Sequence, residues 1–213
     1  MKYYIYMSAT KVKMLYPQIP SAFLKGAEAE LKINLGVIST TVKGRGPDAA
    51  TELPAQVAAV QSYLRDENAV GSIDNPKEWI EGSMPMRWGC VSEYASDIAF
   101  FGGATGSKTV ALIGSSESMI GTSQSASANH APLYYKLKFL NTLLESYGFK
   151  ASNLPLTASE KETAPVQPDY ADLVGLALNA LPHFEESLEF FALVLKNEPN
   201  LIVATPLYVA MAD

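Results

Sequence analysis

The sequence predicts a single α+β domain, residues 1–213, built as a mixed and mostly antiparallel sheet covered by helices. Three observations carry this expectation. Short β-branched and aromatic runs recur along the chain with turn residues between them. Amphipathic stretches at helical spacing fall between some of these runs, not between all of them, which separates the pattern from a regular β-α alternation. Hydrophobic residues make up 48% of the chain and charged residues 18%, which supplies a core and argues against disorder.

Lys2–Met7 reads as a strand, because tyrosine and isoleucine suit a pleated, half-buried surface. Ser8–Lys13 follows as a polar, cationic turn. On an extended path Lys11 and Lys13 project to one face and Val12 and Met14 to the other. Ser21 caps a helix with Phe23, Leu24, Ala27 and Leu31 on one side. Lys32–Val42 is a second strand, ended by Gly44-Arg45-Gly46-Pro47. Thr51–Arg65 carries Val57, Val60 and Leu64 at helical spacing, with Pro54 tolerated in the first turn. Gly71–Pro85 is a loop anchored by Trp79-Ile80.

Met86–Gly121 is the most strand-like region. Ile98–Phe101 and Thr109–Ile113 flank a glycine-rich connection, Gly102–Ser107, and predict an antiparallel hairpin. Residues 115–128 are small and serine-rich and predict a flexible loop. Asn129–Tyr147 is a helix with a Leu133, Leu137, Leu140, Leu144 stripe and Gly148 as its stop. Residues 150–168, with three prolines, form a linker-like excursion. Two helices are expected at Tyr170–Leu181 and Phe184–Asn197, broken at Pro182. Leu201–Met211 closes the sheet, with Pro206 marking an edge position or a break.

No apolar run approaches the roughly 20 residues that span a bilayer, and Ser8–Lys13 interrupts any signal-peptide core. The one cysteine, Cys90, fits a reducing compartment, so a cytoplasmic location is expected. A net charge of −6 argues against broad nucleic-acid binding. The charge is uneven, however. Residues 1–45 hold seven basic groups (Lys2, Lys11, Lys13, Lys25, Lys32, Lys43, Arg45) against Glu28 and Glu30, and the remainder holds nine basic against twenty acidic. The two regions either attract each other within the fold or feed a local anion site.

Each candidate chemistry was weighed on its residues. Ile113-Gly114-Ser115-Ser116 could cradle a phosphate through converging N–H groups, yet it lacks the P-loop spacing and its lysine. Ser115 and Ser116 stand in no nucleophile elbow, and the only histidines, His130 and His183, advertise no catalytic pairing with them or with Cys90. Glu185, Glu186 and Glu189 read as the solvated side of a helix, and no metal or cofactor motif is present. The expected ligand residues are therefore Ser8, Thr10, Lys11 and Lys13 in the N-terminal turn, Ser115 and Ser116 in the later loop, and Trp88, Gly102 and Gly103 lining a cleft.

The segments YYIYMSATKVKMLYPQIP, MRWG at Met86–Gly89, FFGG at Phe100–Gly103, IGSS at Ile113–Ser116 and the C-terminal ATPLYVAMAD together resemble an uncharacterised bacterial family, a domain of unknown function. The resemblance covers nearly the whole chain. It implies a link to multi-gene regulatory or conflict systems, and it brings no catalytic residues. The resulting expectation is a non-enzymatic sensor or adaptor that binds a small anionic ligand or a protein partner. The alternatives are a hydrolase or transferase acting on a nucleotide or other phosphorylated compound, and a structural subunit of a homo-oligomer.

Overall fold

The computed structural model of the protein describes residues 2–24, 49–90, 98–106, 108–121, 174–175, 178 and 185–212. The predicted strand at 32–42, the helix at 129–147, the excursion at 150–168 and most of the helix at 170–181 lie outside these residues.

Strand β1 (Tyr4–Met7) leads into helix α1 (Ala9–Leu15) and a single 3-10 turn, Tyr16–Gln18. Helix α2 (Ala49–Asp66) matches the helix expected from Val57, Val60 and Leu64. Strands β2 (Val70–Gly71) and β3 (Trp79–Cys90) follow, then the hairpin of β4 (Ile98–Thr105) and β5 (Lys108–Ser115). The last two strands are β6 (Glu186–Glu198) and β7 (Leu201–Met211), joined through Pro199-Asn200. The hairpin from β4 to β5 turns at Gly106, whose φ of +56° is what a tight primed turn requires.

The sheet is not open. The first half of β3 pairs antiparallel with β6 and its second half with β4. From there β4 pairs with β5, β5 runs parallel to β7, and β7 returns antiparallel to β6, so five strands close a barrel. This is a correction to the expected open sheet covered by helices, although the mixed, mostly antiparallel pairing stands. One parallel pair in a five-stranded Greek-key ring is the connectivity of the oligonucleotide- and oligosaccharide-binding barrel. Beyond the ring, β1 pairs with the end of β7, and its other side is bridged by Met119 and by the Ile120 N–H on the Ile5 carbonyl.

Alternation fills the barrel. Ile80, Met84 and Met86 of β3, Ala99 and Phe101 of β4, Val110 and Leu112 of β5, Leu188, Phe190 and Ala192 of β6 and Ile202, Ala204 and Val209 of β7 share one interior cluster. On the outside, α1 and α2 press Val12, Val57 and Val60 against Trp79, Phe191 and Tyr208. The outward face of β4 and β5 is apolar too: Phe100, Ala111 and Ile113 are fully buried, and Leu178 lies against the Cα of Gly102.

Two local expectations are corrected and a third is narrowed. The helix foreseen at Phe184–Asn197 is β6: Leu188 and Phe190 face the barrel and Phe191 faces α2, so both sides of the strand are apolar and no clean alternation shows. Of the edge position or break expected at Pro206, the structure shows the break: β7 is an interior strand, and Pro206 falls between its pairing with β5, which ends at Ala204, and its pairing with β1, which starts at Tyr208. It is accommodated opposite Ala192, where the register with β6 shifts. Trp79-Ile80, expected to anchor a loop, opens β3, with Trp79 packed on the α1–α2 side and Ile80 in the interior.

Candidate functional site

The N-terminal turn is a helix, not an extended segment. Ser8 is its N-cap, with the side chain accepting from the Lys11 N–H at 3.4 Å, and Val12 is wholly buried against the sheet. Helical geometry sends Lys11 and Lys13, two residues apart, in different directions. Lys11 Nζ donates to the carbonyl of Pro206 at 2.8 Å, which satisfies an acceptor that the β7 irregularity leaves beside α1. Thr10 and Lys13 are exposed on the helix surface.

Ser8 also belongs to a second cluster. The Tyr6 side chain is buried to 1% exposure, edge-on to Phe101 at 5.8 Å. Its hydroxyl makes hydrogen bonds with the Ser118 side chain, the Ser115 backbone and the Ser8 side chain. Burial holds the phenol pKa above its ordinary value, and those hydrogen bonds offset only part of that shift. The ring lies directly over Gly114, where a Cβ would come within 2.5 Å of the Tyr6 oxygen. The glycine of Ile113-Gly114-Ser115-Ser116 thus makes room for an aromatic ring, and Ser116 is buried to 2% in the turn that follows.

A polar chain that the sequence did not advertise runs over the outer wall. Lys2 Nζ pairs with Glu189 Oε1 at 2.7 Å, donates to the Tyr208 hydroxyl at 3.1 Å and lies 4.6 Å above that ring. Gln61 of α2 donates to the same hydroxyl at 3.2 Å and to Glu81 Oε2 at 3.3 Å, and Glu81 also receives Arg65 Nε at 3.0 Å. Burial would depress the Lys2 pKa, but its contacts with Glu189 and Tyr208 outweigh that, and the net shift is upward. Each cation here is matched by a carboxylate, so the chain fastens α2 and the N-terminus to β3, β6 and β7. Only strand periodicity in the 186–198 segment could have revealed it, by placing Glu189 on the same face as Phe191.

The glycines expected to line a cleft serve close packing on opposite faces of β4. A Cβ on Gly103 would stand 2.2 Å from the Pro85 carbonyl oxygen, and one on Gly102 would stand 2.6 Å from Leu178 Cδ2. Trp88 is different. It packs half-buried at the end of the interior cluster, stacked on Phe101 at 6.1 Å with the planes 19° apart. Its indole Nε1–H donates to Glu186 Oε2 at 3.4 Å. Glu186 opens β6 on the inward-facing side of Leu188 and Phe190, so the aromatic ring and the carboxylate meet at one barrel end. The strand ends at Cys90, Ile98, Ser115, Glu186 and Met211 all lie at that end. Reading Glu186 as part of a helix hid this pairing.

Among the described residues, no group of three or more His, Cys, Asp or Glu stands ready for a metal ion. His130, His183 and the side chain of Cys90 lie outside the described residues. No described helix is long and apolar enough to cross a membrane. No curated protein and no solved structure matches the chain. The profile of a family of unknown function, DUF7019, matches residues 2–213, and with that coverage the chain belongs to this family.

Proposed function

We propose that the chain is a non-enzymatic sensor or adaptor module that takes its ligand, or a group of its partner, at the Trp88 end of the barrel. The observation that carries the reading is the half-buried Trp88 ring closing the interior beside Glu186, while Thr10 and Lys13 stand apart on the surface of α1 and the other candidate residues are engaged in the fold. Lys11 meets a carbonyl, Ser8 and Ser115 meet the Tyr6 hydroxyl, and Gly102, Gly103 and Gly114 serve packing. That engagement weakens the hydrolase or transferase alternative, whose phosphate loop would be the Gly114 turn. The outward face of β4 and β5, which barrels of this connectivity use for oligonucleotides, carries buried Phe100, Ala111 and Ile113 and no exposed stacking platform among the described residues. Edge pairing into a homo-oligomer has little to work with among the described strands. The open side of β1 is bridged by Met119 and Ile120, and β2 is two residues long. Fold alone assigns no role; a link to multi-gene regulatory or conflict systems would make such a module their ligand-reading or docking component.

Native mass spectrometry of the protein purified from its own host tests this reading. A co-purifying molecule or partner is expected on the wild type and on Lys13→Ala, and lost from Trp88→Leu that retains its circular dichroism. A bare chain mass, or a species that Trp88→Leu retains, would overturn it.

A further inference from the structure

Resting on that reading, we infer that the group received at the barrel end is an organic cation, an ammonium or guanidinium. Four described carboxylates are half-buried: Glu81, Glu186, Glu189 and Glu198. Three of them face a cation, namely Arg65 for Glu81, Lys2 for Glu189 and Lys196 for Glu198. Among the described residues Glu186 meets no cation and has the Trp88 indole N–H, at a long 3.4 Å. A partly desolvated carboxylate without a counter-charge is costly to maintain, which makes it a ready receptor for one.

The aromatic component points the same way. An indole face is electron-rich and attracts a cation within about 6 Å of its centre, more strongly where water is excluded. Phe101 stacks on one face of Trp88, which is half-buried at the barrel end. The described charge at this end is net negative. Glu117, Glu185, Glu186 and Glu189 belong to this end, and the two described cations beside them are each held by a carboxylate, Arg87 by Glu185 at 3.4 Å and Lys2 by Glu189 at 2.7 Å. An anion would meet this field unfavourably, whereas a cation would be steered into it.

The test follows the Trp88 indole N–H resonance in ¹⁵N-labelled protein, assigned through Trp88→Phe. Ethylammonium chloride, tetramethylammonium chloride and a short acetylated, amidated Gly-Lys-Gly peptide are titrated against sodium chloride at equal ionic strength. The expected result is a saturable shift with the organic cations and none with sodium. In Glu186→Gln the apparent affinity should fall at least tenfold. Saturation by the peptide alone would identify the source as a partner's side chain; saturation by the small amines would identify a free ligand. An unmoved resonance, or an undiminished response in Glu186→Gln, would overturn the inference. If sodium acetate or phosphate shifts Trp88 saturably and the amines do not, the barrel end still binds and only the cationic assignment fails. If no probe moves Trp88 and Trp88→Leu keeps its co-purifying species, both readings fail.

Discussion

Replacing Gly114 by alanine separates a packing role from an anion-cradling role for the Ile113–Ser116 turn. The new Cβ would stand 2.5 Å from the Tyr6 oxygen, 2.6 Å from its Cζ and 2.7 Å from its Cε2. Carbon atoms in contact settle at about 3.5–4.0 Å, so the ring or the strand must give by about 1 Å. The ring has little freedom to do so, since Phe101 holds its edge at 5.8 Å and Ser8, Ser115 and Ser118 hold its hydroxyl. Overpacking of this kind costs about 1–3 kcal/mol, less about 0.4–1 kcal/mol returned by the reduced freedom of the unfolded chain. For a domain of this length each kcal/mol moves the thermal midpoint by about 2–4 °C, so a loss of a few degrees is expected. Urea denaturation of Gly114→Ala, Tyr6→Leu and the double variant supplies the decisive comparison. Relief of the clash makes the double variant more stable than the sum of the singles by about 1 kcal/mol or more. An unchanged midpoint for Gly114→Ala, or strict additivity in the double, would refute the packing role.

Other outcomes follow from the same coordinates. Gly103→Ala should lower the urea midpoint more than Gly102→Ala, because it meets the Pro85 backbone oxygen while Gly102→Ala meets the end of the Leu178 side chain. Lys11→Met should cost about 1 kcal/mol through the lost bond to Pro206, and Lys13→Met should stay within about 0.5 kcal/mol in the same denaturation series. Stability should decline above about pH 10. The unfolded chain there releases phenol and ammonium protons that the native state retains, because the pKa values of Tyr6 and Lys2 are raised above 10.0 and 10.5, and the slope is at most about 1.4 kcal/mol per pH unit for each group. Tyr6→Phe should make that alkaline limb shallower; an identical limb would remove Tyr6 from the explanation.

The legibility of the fold followed the physics of each segment. Helix α2 and the hairpin of β4 and β5 were readable because each declares itself locally, through a one-sided apolar stripe or through two runs around a glycine turn. Strand β6 was not, because Leu188 and Phe190 face the barrel while Phe191 and Leu193 face the α1–α2 layer, and a strand apolar on both sides mimics a buried helix. Helix α1 was misread for the opposite reason. Its seven residues are too few to show a period, although Ser8 as N-cap was a visible signal. Barrel closure lay beyond reach because it depends on β3 meeting β6 and on β5 meeting β7, pairings between segments roughly a hundred residues apart. Trp88 was legible as a candidate cleft residue, but its hydrogen-bond partner Glu186 was concealed by the helical reading of β6.

The lysine-rich N-terminus shows why charge asymmetry along a sequence is a poor guide to the sign of a ligand. An excess of cations in the first 45 residues suggests an anion only if the fold leaves those cations pointing outward. Here β1 and α1 are laid across β6 and β7, which brings Lys2 to Glu189 and Lys11 to the irregular Pro206. Part of the asymmetry is therefore consumed in docking the N-terminal segment onto the barrel, the attraction between unlike regions that the sequence equally allowed. Among the described residues the compensation reaches Glu189 but not Glu186, which meets a tryptophan N–H and no cation. The carboxylate that no described cation matches, and not the segment with the largest excess, is the one that sets the sign of the group this site would accept.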